Sequence, residues 1–355
     1  MAEDDDEILA PRKNAHFRGH DQAEQAILRT WSTGRVPHAW LITGPRGIGK
    51  ATLAYRFARL ALSSAGGDGG LFGATAPTLA LGPDAPVFRQ IAAGSHPDLL
   101  VLEPSFDDKK ERMRTEILVD EVRRAVEFMH LKPALGGWRV VLVDSADDLN
   151  RNGANALLKV LEEPPRDALL LLVSHAPGAL LPTIRSRCRR LELAPLNRAV
   201  LADLIHHYRP EFGPAEIEQL QEIGAGSIGR ALEIAGAGGL ELHAELRRQL
   251  AAMPNLPMAD IHAFAEKVGH AGGDSPFGLA SELLLSWLAE SIRQRATGSG
   301  RASAASAAGR GSLEQWLGLW EKTNNLFKRT EAVNLDRKQV WIGAMVDIAQ
   351  LTAAR

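Results

Sequence analysis

Gly44-Pro45-Arg46-Gly47-Ile48-Gly49-Lys50, followed by Ala51, is the stretch on which the reading of this chain turns. Its glycines let the backbone bend so that successive N–H groups face a phosphate at the start of the next helix, with Lys50 reaching the outer phosphates. Upstream, His38-Ala39-Trp40-Leu41-Ile42-Thr43 reads as a short buried strand; downstream, Leu53 to Leu60 carries apolar residues at helical spacing. An ordinary glycine-rich strand-to-helix turn would share the composition but not the whole spacing. Hydrolysing versions of such a loop carry Ser or Thr where this chain has Ala51, and a methyl group cannot ligate magnesium. Thr52 does not substitute, because one step along a helix turns the side chain by about 100°.

A second element repeats the pattern of a cradle without its full chemistry. Arg139-Val140-Val141-Leu142-Val143 is an apolar strand that ends in Asp144, placed to stand near a magnesium ion or to cap the next helix. The next position, where a glutamate would orient the attacking water, is Ser145, which has no basic carboxylate. Asp147 is the nearby acid that could take over.

Further along, Asn155-Ala156-Leu157-Leu158-Lys159 with Leu161-Glu162-Glu163-Pro164-Pro165, Leu170 to His175, and Thr183-Ile184-Arg185-Ser186-Arg187-Cys188 resemble the clamp-loader branch of the AAA+ ATPases that serves bacterial DNA polymerase III. Gly94-Ser95-His96-Pro97-Asp98-Leu99 and Asp120-Glu121-Val122-Arg123 fit the same branch, and the resemblance covers Phe17 to Glu233 with specific motifs. It implies an α/β P-loop AAA+ domain over 1–194, a small helical lid over 195–238 and an all-helical collar domain over 239–355. It also implies that Arg187 acts in trans as an arginine finger, reaching the nucleotide site of an adjacent subunit; a planar, permanently charged guanidinium suits that task. The alternative for Arg187 is pairing with a surface carboxylate.

Gly44, Gly47, Gly49, Lys50, Asp144 and Arg230 are the residues assigned to a nucleotide on this basis. Arg230 enters through Gly226-Ser227-Ile228-Gly229-Arg230-Ala231, which resembles a second sensor motif and equally reads as a helix start with Ser227 at the cap. His175 falls where the family places a γ-phosphate sensor, and a plain strand-end histidine fits there too. Cys188 reads as a small apolar residue. The family often carries a four-cysteine zinc module, but Cys188 is the single cysteine in the chain, so a thiolate zinc site is ruled out and no zinc is expected.

With 355 residues, 45% of them hydrophobic, the chain has material for two or three domains. A net charge of −2 gives no global basic field for independent nucleic-acid binding. A single cysteine suits a reducing compartment, and neither a signal peptide nor a membrane span is apparent, so a cytoplasmic location is expected. The acidic run Glu3-Asp4-Asp5-Asp6-Glu7 places residues 1–14 as a frayed terminus. Residues 296–312, small and polar, read as a flexible loop between helical stretches. Beyond it Leu313, Trp316, Leu317, Trp320 and Phe327 recur at helical spacing and read as a domain core, with an intersubunit surface as the alternative, and Asn334-Leu335-Asp336 fits the terminal-helix region.

Together these features lead to a clamp-loader subunit that hydrolyses ATP poorly or not at all by itself. Its partners would be motor and delta-type loader subunits, with the sliding clamp and primed DNA reached through the complex. ATP binding at the degenerate cradle stays open, and magnesium has little support. An ATP-hydrolysing motor subunit and an independent DNA-repair ATPase are the competing readings.

Overall fold

The computed structural model describes residues 10–63, 78–107, 112–236, 238–270, 276–297, 311–333 and 335–353. The chain divides into two compact units, one formed by Met1–Gly213 with Gly224–Ala231 and the other by Pro214–Ile223 with Leu232–Arg355.

In the first unit, α1 (Asp21–Ser32), β1 (Ala39–Thr43), α2 (Lys50–Ser63), α3 (Pro86–Ala92) and β2 (Leu99–Leu102) are followed by a two-residue hairpin, β3 (Phe106–Asp107) and β4 (Arg112–Met113). Then come α4 (Val119–His130), β5 (Arg139–Val143), α5 (Arg151–Glu162), β6 (Ala168–Ser174), α6 (Pro182–Arg185), β7 (Arg189–Glu192) and α7 (Arg198–Tyr208). The main sheet runs β2-β5-β6-β1-β7, with every pair parallel. Its central strands are continuous apolar runs because helices cover both faces, leaving no side of the sheet for water.

Alternation along each strand sorts the core into two layers. Trp40, Ile42, Val140, Leu142, Leu169 and Leu171 pack with Leu53 and Phe57 of α2. Ala39, Leu41, Val141, Leu170 and Leu172 pack on the opposite face with Val122 of α4 and Leu157 of α5. All strands being parallel, the ends of β1, β5 and β6 emerge along one edge, where ligands of open α/β sheets bind.

Residues 10–14, expected to fray, are tied down instead. The buried Arg59 guanidinium donates to the carbonyls of Arg12 (2.6 Å) and Asn14 (3.1 Å), and Asn14 Nδ2 donates to the Tyr208 hydroxyl at 2.8 Å. The acidic run that suggested fraying lies outside the described residues. Residues 195–238 are divided between the two units: α7 belongs to the first, while α8 (Pro214–Gly224) and α9 (Ile228–Gly236) each contribute residues to both. The side chains explain α7, since His207 stacks on His16 at 4.0 Å and Tyr208 meets Asn14.

The second unit holds α10 (Gly239–Ala251), α11 (Met258–Val268), α12 (Phe277–Thr297), α13 (Leu313–Val333) and α14 (Arg337–Ala353). Its core is aromatic: Phe327 stacks on Trp341 and meets Phe277 edge-on, Phe264 tilts against Trp341, and Trp287 meets Trp316. The stripe expected along α13 is shifted in phase. Trp316, Leu319, Thr323, Phe327 and Thr330 are buried, whereas Leu313 and Leu317 are 41% and 43% exposed. Helical periodicity fixes a spacing but tolerates a neighbouring face, and here tryptophan and threonine define the inner one. Of the loop expected over 296–312, Ala296 and Thr297 close α12 and residues 298–310 lie outside the described residues, as does Asn334. Among the described residues, no helix is long and apolar enough to cross a membrane.

Candidate functional site

The glycine-rich loop leaves the end of β1 and enters α2 at Lys50, as its spacing requires. Four consecutive loop carbonyls are then satisfied from within the chain. Pro45 O accepts from the Lys50 ammonium at 2.5 Å, Arg46 O from the Ser227 hydroxyl at 2.9 Å, and Gly47 O from the Gly229 N–H at 2.8 Å. Ile48 O lies 2.8 Å from His20 Nε2, which fixes that nitrogen as the protonated one. The first turn of α9 thus sits directly on the loop. Its contact is backbone to backbone: a Cβ on Gly229 would lie 2.9 Å from Gly47 Cα, and one on Gly47, at φ 74°, would lie 2.4 Å from Ser227 Oγ. Ser227 also caps α9, since its oxygen accepts from the Arg230 N–H at 3.2 Å. The residue of this segment that faces the loop is therefore Gly229, and Arg230 begins about 100° further round the helix.

Burial lowers the pKa of Lys50 to about 8, against the opposing pull of Asp144 and Asp147. Asp144, at the end of β5, is pushed up to about 6 by burial and by the nearby Glu103, with Lys50 holding it back. Lys50 and Asp144 thus interact electrostatically across the loop. Ser145 is buried and donates its hydroxyl to Asp148 at 3.0 Å.

Asp147 is a structural brace. Although burial raises its pKa, hydrogen bonds from the His175 N–H (2.6 Å), the Ser174 hydroxyl (2.9 Å) and the Ala176 N–H (3.1 Å) outweigh that and hold it below the usual carboxylate range. So held, it clamps the turn after β5 to the end of β6 and is a weak base. Burial and then the Lys50 charge lower the pKa of the His175 imidazole.

These residues do not fit a hydrolysing magnesium–nucleotide centre. The space over Gly47 is filled by Ser227, Ala51 supplies a methyl where an oxygen is needed, and the serine at 145 spends its proton on Asp148. Among the described residues, no group of three or more His, Cys, Asp or Glu could hold a metal ion.

Arg187 stands elsewhere. It lies in the turn between α6 and β7, and because β7 runs parallel to β1, that turn is at the edge of the sheet opposite the phosphate loop. Its Nη1 donates to the Thr183 carbonyl at 3.1 Å, and Nη2 meets Glu162 Oε1 at 2.9 Å. The side chain keeps 36% of its surface exposed, and Glu162 keeps 51%. Cys188, beside it, is half-buried against the core, which raises its pKa to about 12 and makes it a poor nucleophile.

The structure thus gathers Gly44, Gly47, Gly49, Lys50 and Asp144 at one edge with Arg230's helix start, and leaves Arg187 at the other. Sequence reasoning missed His20, Glu103 and the partner role of Glu162. Only Glu103 had a signal, an acid directly after the apolar run Leu99–Leu102.

Comparison with known proteins gives a consistent set of similarities. The sequence model of a family described as DNA polymerase III, delta subunit, matches residues 19–197. DNA polymerase III subunit delta' of Pseudomonas aeruginosa is 37% identical over 225 residues, 61% of this chain and 64% of that protein. Subunit delta' of Escherichia coli is 34% identical over 178 residues, covering 48% and 46%, and subunit tau of the same organism is 31% identical over 228 residues, covering 63% and 32%. The matched region spans less than two thirds of the length of each of these relatives.

Proposed function

This chain belongs to the family described as DNA polymerase III, delta subunit, and from that premise we propose that it serves as the delta-prime-like subunit of a clamp loader in chromosomal DNA replication. In this role it helps assemble the ring of loader subunits and lends Arg187 to a neighbour's ATP site. The ring as a whole would open a sliding clamp and place it on primed DNA in the cytoplasm. Nucleotidyl transfer belongs to the polymerase holoenzyme and not to this chain.

The observation that carries the reading is the division of labour across the sheet. The home loop is braced by its own chain and lacks the oxygens for magnesium, while an exposed guanidinium sits at the opposite edge, beyond reach of that loop. Such a cation can act on a nucleotide only in another molecule. An arginine placed on a transferring phosphoryl group supplies positive charge where negative charge develops, and such residues contribute about 10³–10⁵ in kcat where they operate. In the collar, the exposed Leu313 and Leu317, one turn apart on α13, offer an apolar contact for a partner helix.

The test is reconstitution with motor and delta-type subunits. Arg187→Ala should assemble normally and lower ATP turnover at the adjoining site at least tenfold; turnover equal to that of the unaltered complex would reject the assignment. The purified chain should hydrolyse ATP negligibly, and brisk hydrolysis abolished by Lys50→Ala would instead identify a motor subunit.

A further inference from the structure

We propose that Glu162 is a positioning residue that holds the Arg187 guanidinium in the pose from which it serves the neighbouring site. The inference rests on the reading of Arg187 as a donor in trans and adds to it the group that aims the donor.

Glu162 is the last residue of α5, and Glu163 caps that helix. A carboxylate there faces the negative end of the helix dipole, a place where acids are unfavourable and cations are preferred. Local helix stability therefore does not explain it. Its contact with the turn after the next helix does: Oε1 takes Arg187 Nη2 at 2.9 Å, while Arg187 Nη1 is fixed on the carbonyl of Thr183 in α6 at 3.1 Å. Thr183 O is itself anchored, accepting the Ser186 hydroxyl at 3.1 Å. Two partners on two different nitrogens set the plane of the guanidinium and leave three of its five N–H groups for a phosphate. A free arginine would have to freeze several torsions on meeting a phosphate; one held from two sides has already lost most of that freedom. The alternative, a carboxylate that merely parks the arginine, predicts the opposite sign, since its removal would release the donor.

In the reconstituted loader, Glu162→Ala should lower kcat for ATP by about threefold to fivefold with KM unchanged, the scale of an exposed ion pair. Glu162→Gln, which keeps an acceptor without the charge, should fall between. In an Arg187→Ala background the Glu162→Ala change should have no further effect, a coupling that a merely structural role would not produce. An unchanged or raised kcat in Glu162→Ala, or an equal loss in both backgrounds, overturns the positioning role while leaving the finger intact. Full turnover in Arg187→Ala would remove the finger and this proposal with it.

Discussion

At the phosphate loop, the carbonyls of Pro45, Arg46, Gly47 and Ile48 all find donors inside the chain, on Lys50, Ser227, Gly229 and His20; at the opposite edge of the sheet, Arg187 is held by one exposed carboxylate and one carbonyl. Contacts of the first kind are partly to fully buried and converge on one loop, with donors from buried Lys50, Ser227 and His20, so losing one leaves a polar group poorly satisfied. Contacts of the second kind lie in high dielectric, are worth about 0–1 kcal/mol, and can be exchanged for a better anion. A motif inherited from nucleotide chemistry can therefore persist as internal scaffolding, while the reactive charge is left loosely held at the surface where a partner can use it. The contrast breaks if either side behaves like the other when single residues are changed.

The largest expected effect falls on the scaffold. Gly229 is helical, so by intrinsic propensity alone Gly229→Ala should stabilise by about 1 kcal/mol. The added Cβ would meet Gly47 Cα at 2.9 Å and Gly47 O at 3.2 Å, both backbone atoms, and the turn could accommodate it only by lifting off the loop. That sacrifices the bonds to Arg46 O and Gly47 O, each worth about 1 kcal/mol. A net loss of about 1–2 kcal/mol in urea unfolding is expected, and a gain in stability would mean that α9 is not docked in solution.

How much of this is legible in the sequence depends on range along the chain. The sheet is legible because runs such as Leu169–Val173 have few alternatives to a strand covered on both faces, and the loop because its glycine spacing is local. Asp147 is not, since its duty as a brace depends on Ser174, 27 residues away, and nothing in the interval announces the pairing. The same applies to Arg59, whose guanidinium settles on a carbonyl 47 residues upstream and thereby orders residues that composition assigns to a loose terminus. Leu313 and Leu317 mislead for a different reason: leucine spacing identifies a helix, but which of two adjoining stripes turns inward is decided by Trp316 and Phe327.

A smaller effect, of opposite sign, is expected at the point where the scaffold keeps an unneeded charge. The pKa of Asp144 is raised to about 6 from 3.8, so between those values the folded chain holds a proton that the unfolded chain has released. Its contribution is therefore fully present below about pH 4, is lost as pH rises to about 6, and is flat above. Asp144→Asn should abolish that slope and raise stability at pH 7 by roughly 1 kcal/mol, less than the whole shift implies because the half-buried amide that replaces the carboxyl needs donors and acceptors of its own. Thermal unfolding between pH 4 and 7.5 tests both features, and a variant less stable at pH 7 would show that the carboxylate still contributes more than its burial costs.

The smallest effect should appear at Arg187, and its smallness is the point. Arg187→Ala removes one exposed ion pair and one bond to a carbonyl, so unfolding free energy should change by no more than about 0.5 kcal/mol. A loss above about 1.5 kcal/mol would place Arg187 among the supports of the fold and erase the contrast with the loop, because a guanidinium needed at home could not be surrendered to a neighbour without loosening α5 and α6. Measured beside the turnover of the reconstituted complex, near-zero stability change with a large catalytic loss separates a residue kept for a partner from one kept for the chain that carries it.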